Sequence, residues 1–86
     1  MKGLKTSTMR RLLNKGKRKA RGCKAPPDGV MQSLFTETLP NGWYYRVDYV
    51  RDSRMFAKPY VAVYAFRPPV SGCARTADYC LMEELQ

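Results

Sequence analysis

Pro40-Asn41-Gly42 is the feature that most restricts how this chain can fold. Asn-Gly between two β-rich runs is the strongest short-range hairpin signal, because the favoured two-residue turn needs positive φ at both central positions. The flanking runs, 30–39 (VMQSLFTETL) and 43–51 (WYYRVDYVR), are rich in aromatic and β-branched residues that suit strands. A two-residue loop at Asn41-Gly42 places Thr38 opposite Tyr45, Thr36 opposite Val47 and Leu34 opposite Tyr49 on one face. On the other face it places Glu37 opposite Arg46 and Leu39 opposite Tyr44. The Glu37–Arg46 pair matches opposite charges without having been required by the turn.

A third strand is expected over Tyr60–Arg67 (YVAVYAFR). It is apolar on both faces, so it reads as the best buried strand, and Pro68-Pro69 stops it. Beyond it, Ala74, Ala77, Leu81 and Leu85 fall near one stripe at helical spacing and Ser71 can cap them. This predicts a C-terminal helix over 74–85. Glu83 and Glu84 would sit at the wrong end of that helix for its dipole, so its last turn should fray. The fold class expected is therefore α+β: a three-stranded antiparallel sheet, a C-terminal helix packed on one face, and a basic N-terminal arm containing a short helix.

The arm is set apart by charge. Residues 1–24 carry ten Lys and Arg and no acid, whereas residues 25–86 carry six basic and seven acidic residues, so the net +9 belongs to the opening quarter. Ser7 or Thr6 can cap a short helix there, Met9, Leu12 and Leu13 supply its apolar stripe, and Gly16 can end it. Residues 16–29 (GKRKARGCKAPPDG) then read as a linker, punctuated by Gly and by Pro26-Pro27-Asp28-Gly29. The expected organisation is an arm and linker over 1–29 and a small domain over 30–86. At 86 residues the whole chain has room for one modest core.

Function classes narrow from composition. There is no His, and three scattered Cys without a CxxC pair do not make a zinc site, so no metal or cofactor is expected. Cys23, Cys73 and Cys80 read as ordinary thiols in a reducing, cytoplasmic setting; a Cys73–Cys80 bridge would be strained along one continuous helix. Neither a phosphate-cradling GxxxxGK[ST] nor a GxSxG motif occurs, and no His is present to activate a Cys, which argues against an enzyme. The longest apolar stretch, Tyr60–Phe66, is too short to span a bilayer, and Leu12-Leu13 is too short for a secretory signal.

Polyanion binding remains. The run Lys15–Lys24 has six basic residues in ten, and neutralising phosphates releases counterions. The candidate contact residues are Arg10, Arg11, Lys15, Lys17, Arg18, Lys19, Arg21 and Lys24, joined by Tyr44 and Arg46 from the second strand. Trp43, Tyr45 and Tyr49 alternate as a core face should. The expected partner is nucleic acid, DNA or RNA. The alternative is an acidic protein surface, met by a protein-binding module such as a phage- or mobile-element-type inhibitor of a host nucleic-acid enzyme, or by a ribonucleoprotein subunit.

The expected order helix, three strands, helix is similar to the double-stranded-RNA-binding fold. The stretch Gly42-Trp43-Tyr44-Tyr45-Arg46 through the C-terminal helix resembles AP2 and integrase arm-binding domains, which read DNA with a three-stranded sheet. The basic cluster that opens the last helix of double-stranded-RNA-binding domains is reduced here to Arg75, and no functional residue follows from either resemblance.

Overall fold

A computed structural model of the protein describes residues 6–40, 42–68 and 77–85. One helix, α1 (Thr6–Arg21), precedes four strands, β1 (Val30–Thr38), β2 (Tyr44–Arg51), β3 (Tyr60–Phe66) and β4 (Ala77–Glu84). The strands form a single antiparallel sheet in the order β1-β2-β3-β4. Helix α1 lies across one face and touches all four strands. Met9, Leu12, Leu13 and Ala20 from the helix share one buried cluster with Trp43, Tyr45, Val47, Tyr49, Val61 and Val63 from the sheet. Leu12 and Leu13 are fully buried, each worth roughly 1.5–3 kcal/mol in surface removed from water.

The expected three-stranded sheet with a C-terminal helix is corrected: the last described element is the strand β4, and the helix packed on the sheet is the N-terminal one. The helical spacing over 74–85 uses Ala74, Ala77, Leu81 and Leu85, and the three of these within the described residues, Ala77, Leu81 and Leu85, lie four residues apart. Four residues are about one helical turn, but they are also two strand repeats, so the pattern fits both periods. What separates the two is a partner. β3 has an open edge, and 77–84 pairs with it from Phe66↔Ala77 to Tyr60↔Glu84. Leu81 and Leu85 then pack on the α1 side and Met82 on the other. Ser71, Cys73, Ala74 and Arg75 lie outside the described residues, and with them the predicted cap and the Cys73–Cys80 bridge. Both resemblances relied on the C-terminal helix and lose their support with it.

The basic arm is also corrected. Its helix does not end at Gly16 but continues to Arg21, through a large part of the run that reads as linker. Gly16 is buried in the middle of α1 because the helix crosses the sheet closely there. A Cβ at this position would lie 2.6 Å from Val47 Cγ1 and 2.9 Å from Val61 Cγ1. The helix closes instead on tightened turns, Gly22 N–H to Lys19 C=O (3.1 Å) and Cys23 N–H to Ala20 C=O (3.0 Å).

The hairpin forms at the expected place with a different register. Leu39 N–H donates to Trp43 C=O (2.8 Å) and Gly42 N–H to Leu39 C=O (2.9 Å), so three residues close the loop, with Gly42 at φ +92°. This is the three-residue hairpin whose last loop position favours glycine. One extra loop residue slips the pairing by one, and a one-residue slip sends every side chain to the opposite face. Thr36 now faces Arg46 and Glu37 faces Tyr45, so the predicted Glu37–Arg46 pair does not form. A bulge between Ser33 and Phe35 shifts the register again, and Leu34 and Phe35 both pack against the helix-side core.

The face away from α1 holds a smaller cluster of Val50, Tyr60 and Ala62, covered by Phe56, Tyr64 and Met82. Asp28 accepts hydrogen bonds from Ser53 N–H (2.9 Å) and Ser53 Oγ (2.8 Å), tying the 52–59 connection to the start of β1 and holding the Asp28 carboxyl below its usual range.

Candidate nucleic-acid interface

A helix turns 100° per residue, so one buried stripe dictates where every cation on α1 points. Met9, Leu12, Leu13, Gly16 and Ala20 face the sheet. The opposite ridge is Ser7, Arg11, Asn14 and Arg18, all exposed. Lys15 and Lys19 fall on the flank toward β1, and Arg10, Lys17 and Arg21 on the flank toward β4.

Arg10, Arg11 and Lys17 of α1 are tied to the protein's own sheet. Arg10 and Lys17 both pair with Glu83 of β4, and their hydrogen bonds, Lys17 first, hold the Glu83 carboxyl below its ordinary range. Arg11 Nη2 donates to Glu37 Oε1 at 3.1 Å. Lys17 is the most covered of the three, with 19% of its side chain exposed, whereas Arg10 and Arg11 keep 49% and 55%. Lys15 and Lys19 lie over the Phe35 ring, 4.8 and 5.9 Å from its centroid. That ring faces the helix because the three-residue loop sets Phe35 opposite Val47. Arg18, Arg21 and Lys24 are exposed.

Internal pairing does not balance this surface. Leaving Arg21 aside, seven cations on α1 and just after it, Arg10, Arg11, Lys15, Lys17, Arg18, Lys19 and Lys24, meet two carboxylates among the described residues, Glu37 and Glu83, which leaves a surplus of five positive charges there. Arg11, Lys15 and Lys19 stand one turn apart, as do Lys17 and Arg21, and like charges at that spacing cost about 0.2–0.5 kcal/mol per pair. Arg18, Lys19 and Arg21 in the last turn recover part of this from the helix dipole.

Tyr44 and Arg46 are not brought to this surface. They alternate with Tyr45 and Val47 along β2 and so lie on the face away from α1. Arg46 Nε donates to Asp48 Oδ2 (3.1 Å), and its guanidinium lies over Tyr64 (5.0 Å) and Phe66 (5.9 Å). Asp48 is 2% exposed, its Oδ1 has no partner among the described residues, and burial pushes its carboxyl above the usual range. Asp48, Glu83 and Phe35 carry no functional signal in the sequence reading. Only Asp48 had a visible one to offer, since i and i+2 share a strand face. Trp43, Tyr45 and Tyr49 are buried in the helix-side core.

Among the described residues no group of His, Cys, Asp and Glu is placed to hold a metal ion, and no helix is long and apolar enough to cross a membrane. Comparison with protein-family models, with curated proteins and with solved structures found no match to this chain.

Proposed function

We propose that the protein is a non-enzymatic nucleic-acid-binding protein of the cytoplasm that contacts phosphates through the outward surface of α1 and the turn after it. The observation that carries this reading is the surplus of five positive charges among the described residues of that surface, Arg21 left aside, after Glu37 and Glu83 have been counted. Such a surface raises the local concentration of polyanions and loses affinity with salt as counterions are released. The exposed free thiols of Cys23 and Cys80 fit a reducing compartment.

The test is a salt titration of binding to labelled duplex and single-stranded oligonucleotides. Removing residues 1–24 is not a usable control, because Met9, Leu12, Leu13 and Ala20 belong to the core. A Lys15→Gln, Lys19→Gln, Lys24→Gln triple variant leaves the core intact. It should reduce the magnitude of the slope of log affinity against log salt by up to about 3, near 0.9 for each phosphate no longer neutralised. Absence of binding at low salt refutes the reading.

A second reading draws support from the edge strand β1. Val30 (42% exposed) and Met31 (57% exposed) line a cleft with Lys24, Pro26, Pro27 and Arg51. An exposed edge of this kind accepts a partner's extended strand. The chain would then be a protein-binding module, such as an inhibitor of a nucleic-acid enzyme or a ribonucleoprotein subunit. Capture of one protein partner that survives nuclease treatment, together with no oligonucleotide binding, favours it.

A further inference from the structure

We infer that α1 is a groove-reading helix for duplex DNA, with Asn14 and Arg18 contacting base edges in the major groove; this rests on the nucleic-acid reading above. The ridge opposite the buried stripe is the side of the helix that stands farthest from the sheet. A helix with its side chains is about 10–12 Å across, and the B-form major groove is about 12 Å wide and 8.5 Å deep, so the ridge fits while the sheet stays outside. Groove walls are phosphate backbones, and α1 presents Lys15 and Lys19 on one flank and Arg10, half exposed beside Glu83, on the other.

What distinguishes the ridge from a merely charged surface is Asn14. It is the only carboxamide on α1, it sits between Arg11 and Arg18 on the solvent pole, and it is exposed. Asn pairs in a bidentate way with adenine N6 and N7, and Arg with guanine O6 and N7. Neither Asn14 nor Arg18 is held by an ion pair or a side-chain hydrogen bond among the described residues, in contrast to Arg10, Arg11 and Lys17. Cations that steady the helix on its sheet and side chains left open to a base are therefore different residues. Asn14 and Arg18 lie one turn apart, about 6 Å along the axis, which matches roughly two base-pair steps of ~3.4 Å. A-form RNA is a poor fit, because its major groove is too deep and narrow for side chains to read.

The experiment is selection of the full-length protein against a random duplex DNA pool at moderate salt, followed by anisotropy on the selected site. A short motif holding an adenine and a guanine about two steps apart is expected. Asn14→Ala should reduce discrimination at the adenine roughly 5- to 150-fold, and Arg18→Ala at the guanine by a similar factor, with non-specific affinity nearly kept after Asn14→Ala. Both residues are exposed, and a circular dichroism melt checks that the variants fold. Replacing the guanine with 7-deazaguanine, which lacks the N7 acceptor, should weaken wild type and leave Arg18→Ala little changed. Binding without any enriched motif, or equal competition by RNA duplex or single strands, overturns the groove-reading role and leaves the phosphate-binding function standing. No binding to any nucleic acid at low salt overturns both.

Discussion

Gly16→Ala tests how tightly α1 crosses the sheet. Two effects oppose each other. Alanine in a helix interior is favoured over glycine by about 0.8–1.0 kcal/mol, which would stabilise the variant. The new methyl group, however, would lie 2.6 Å from Val47 Cγ1 and 2.9 Å from Val61 Cγ1, both closer than carbon atoms tolerate. Val47 and Val61 are fully buried in the centre of the sheet, and β-branched side chains are stiff at χ1, so neither can swing aside. Overpacking of this kind costs typically about 1–3 kcal/mol. The net expectation is a loss of up to ~2 kcal/mol, equivalent to a fall in Tm of up to roughly 16 °C for a domain of this size. Urea and thermal unfolding followed by circular dichroism in the far ultraviolet measure it. Val61→Ala in the Gly16→Ala background should relieve the clash, so that the double variant is less unstable than the two single losses added together. A Gly16→Ala protein more stable than wild type by the full ~0.8–1.0 kcal/mol of propensity would refute the packing account, because propensity alone would then decide the outcome.

Leu12→Ala, which empties a fully buried site in the same cluster, should cost about 2–5 kcal/mol in a chemical melt. Glu83→Gln should separate stability from binding. Losing the Lys17 and Arg10 pairs lowers stability at neutral pH by about 0.5–1 kcal/mol, while affinity for oligonucleotides rises because an opposing charge is gone. The Glu83 carboxyl is held low in the folded state, so this contribution is present at neutral pH and lost as pH falls through the lowered value; the difference between variant and wild type should shrink in acid melts. Asp48 has the opposite sign. Burial raises its carboxyl, so ionisation works against folding at neutral pH, and wild type should gain from Asp48 as pH falls through the raised value. Asp48→Asn should lack that gain when urea midpoints are compared across the acid range. Arg46→Ala, on the face away from α1, should leave the salt dependence of oligonucleotide binding unchanged.

Local chemistry made part of this molecule legible. The hairpin at 40–42 and the buried strand β3 follow from short-range signals: a loop glycine, β-branched and aromatic residues, and prolines that stop the ladder. The segregation of charge is equally plain in the chain, since ten cations precede the first acid. Other features depend on what each segment meets in space. The residues at 77, 81 and 85 suit a helix or a strand, and the unpaired edge of β3 decides between them. Gly16 reads as a helix stop until Val47 and Val61 are seen beneath it, where the missing side chain is what lets the helix pass. The Glu37 partner changed from Arg46 to Arg11 because one extra loop residue turned that end of β1 over.

The amino-acid sequence by itself determined the excess of positive charge, the presence of a hairpin and the amphipathic stripe of α1, all properties of residues near one another along the chain. Tertiary structure alone decided that the basic segment is a helix within the core and not a loose arm. It also decided which cations meet Glu37 and Glu83 and which are left facing outward. The physical reason is that burial and ion pairing act between residues up to 73 positions apart, as Arg10 and Glu83 are, and only the folded sheet sets those distances.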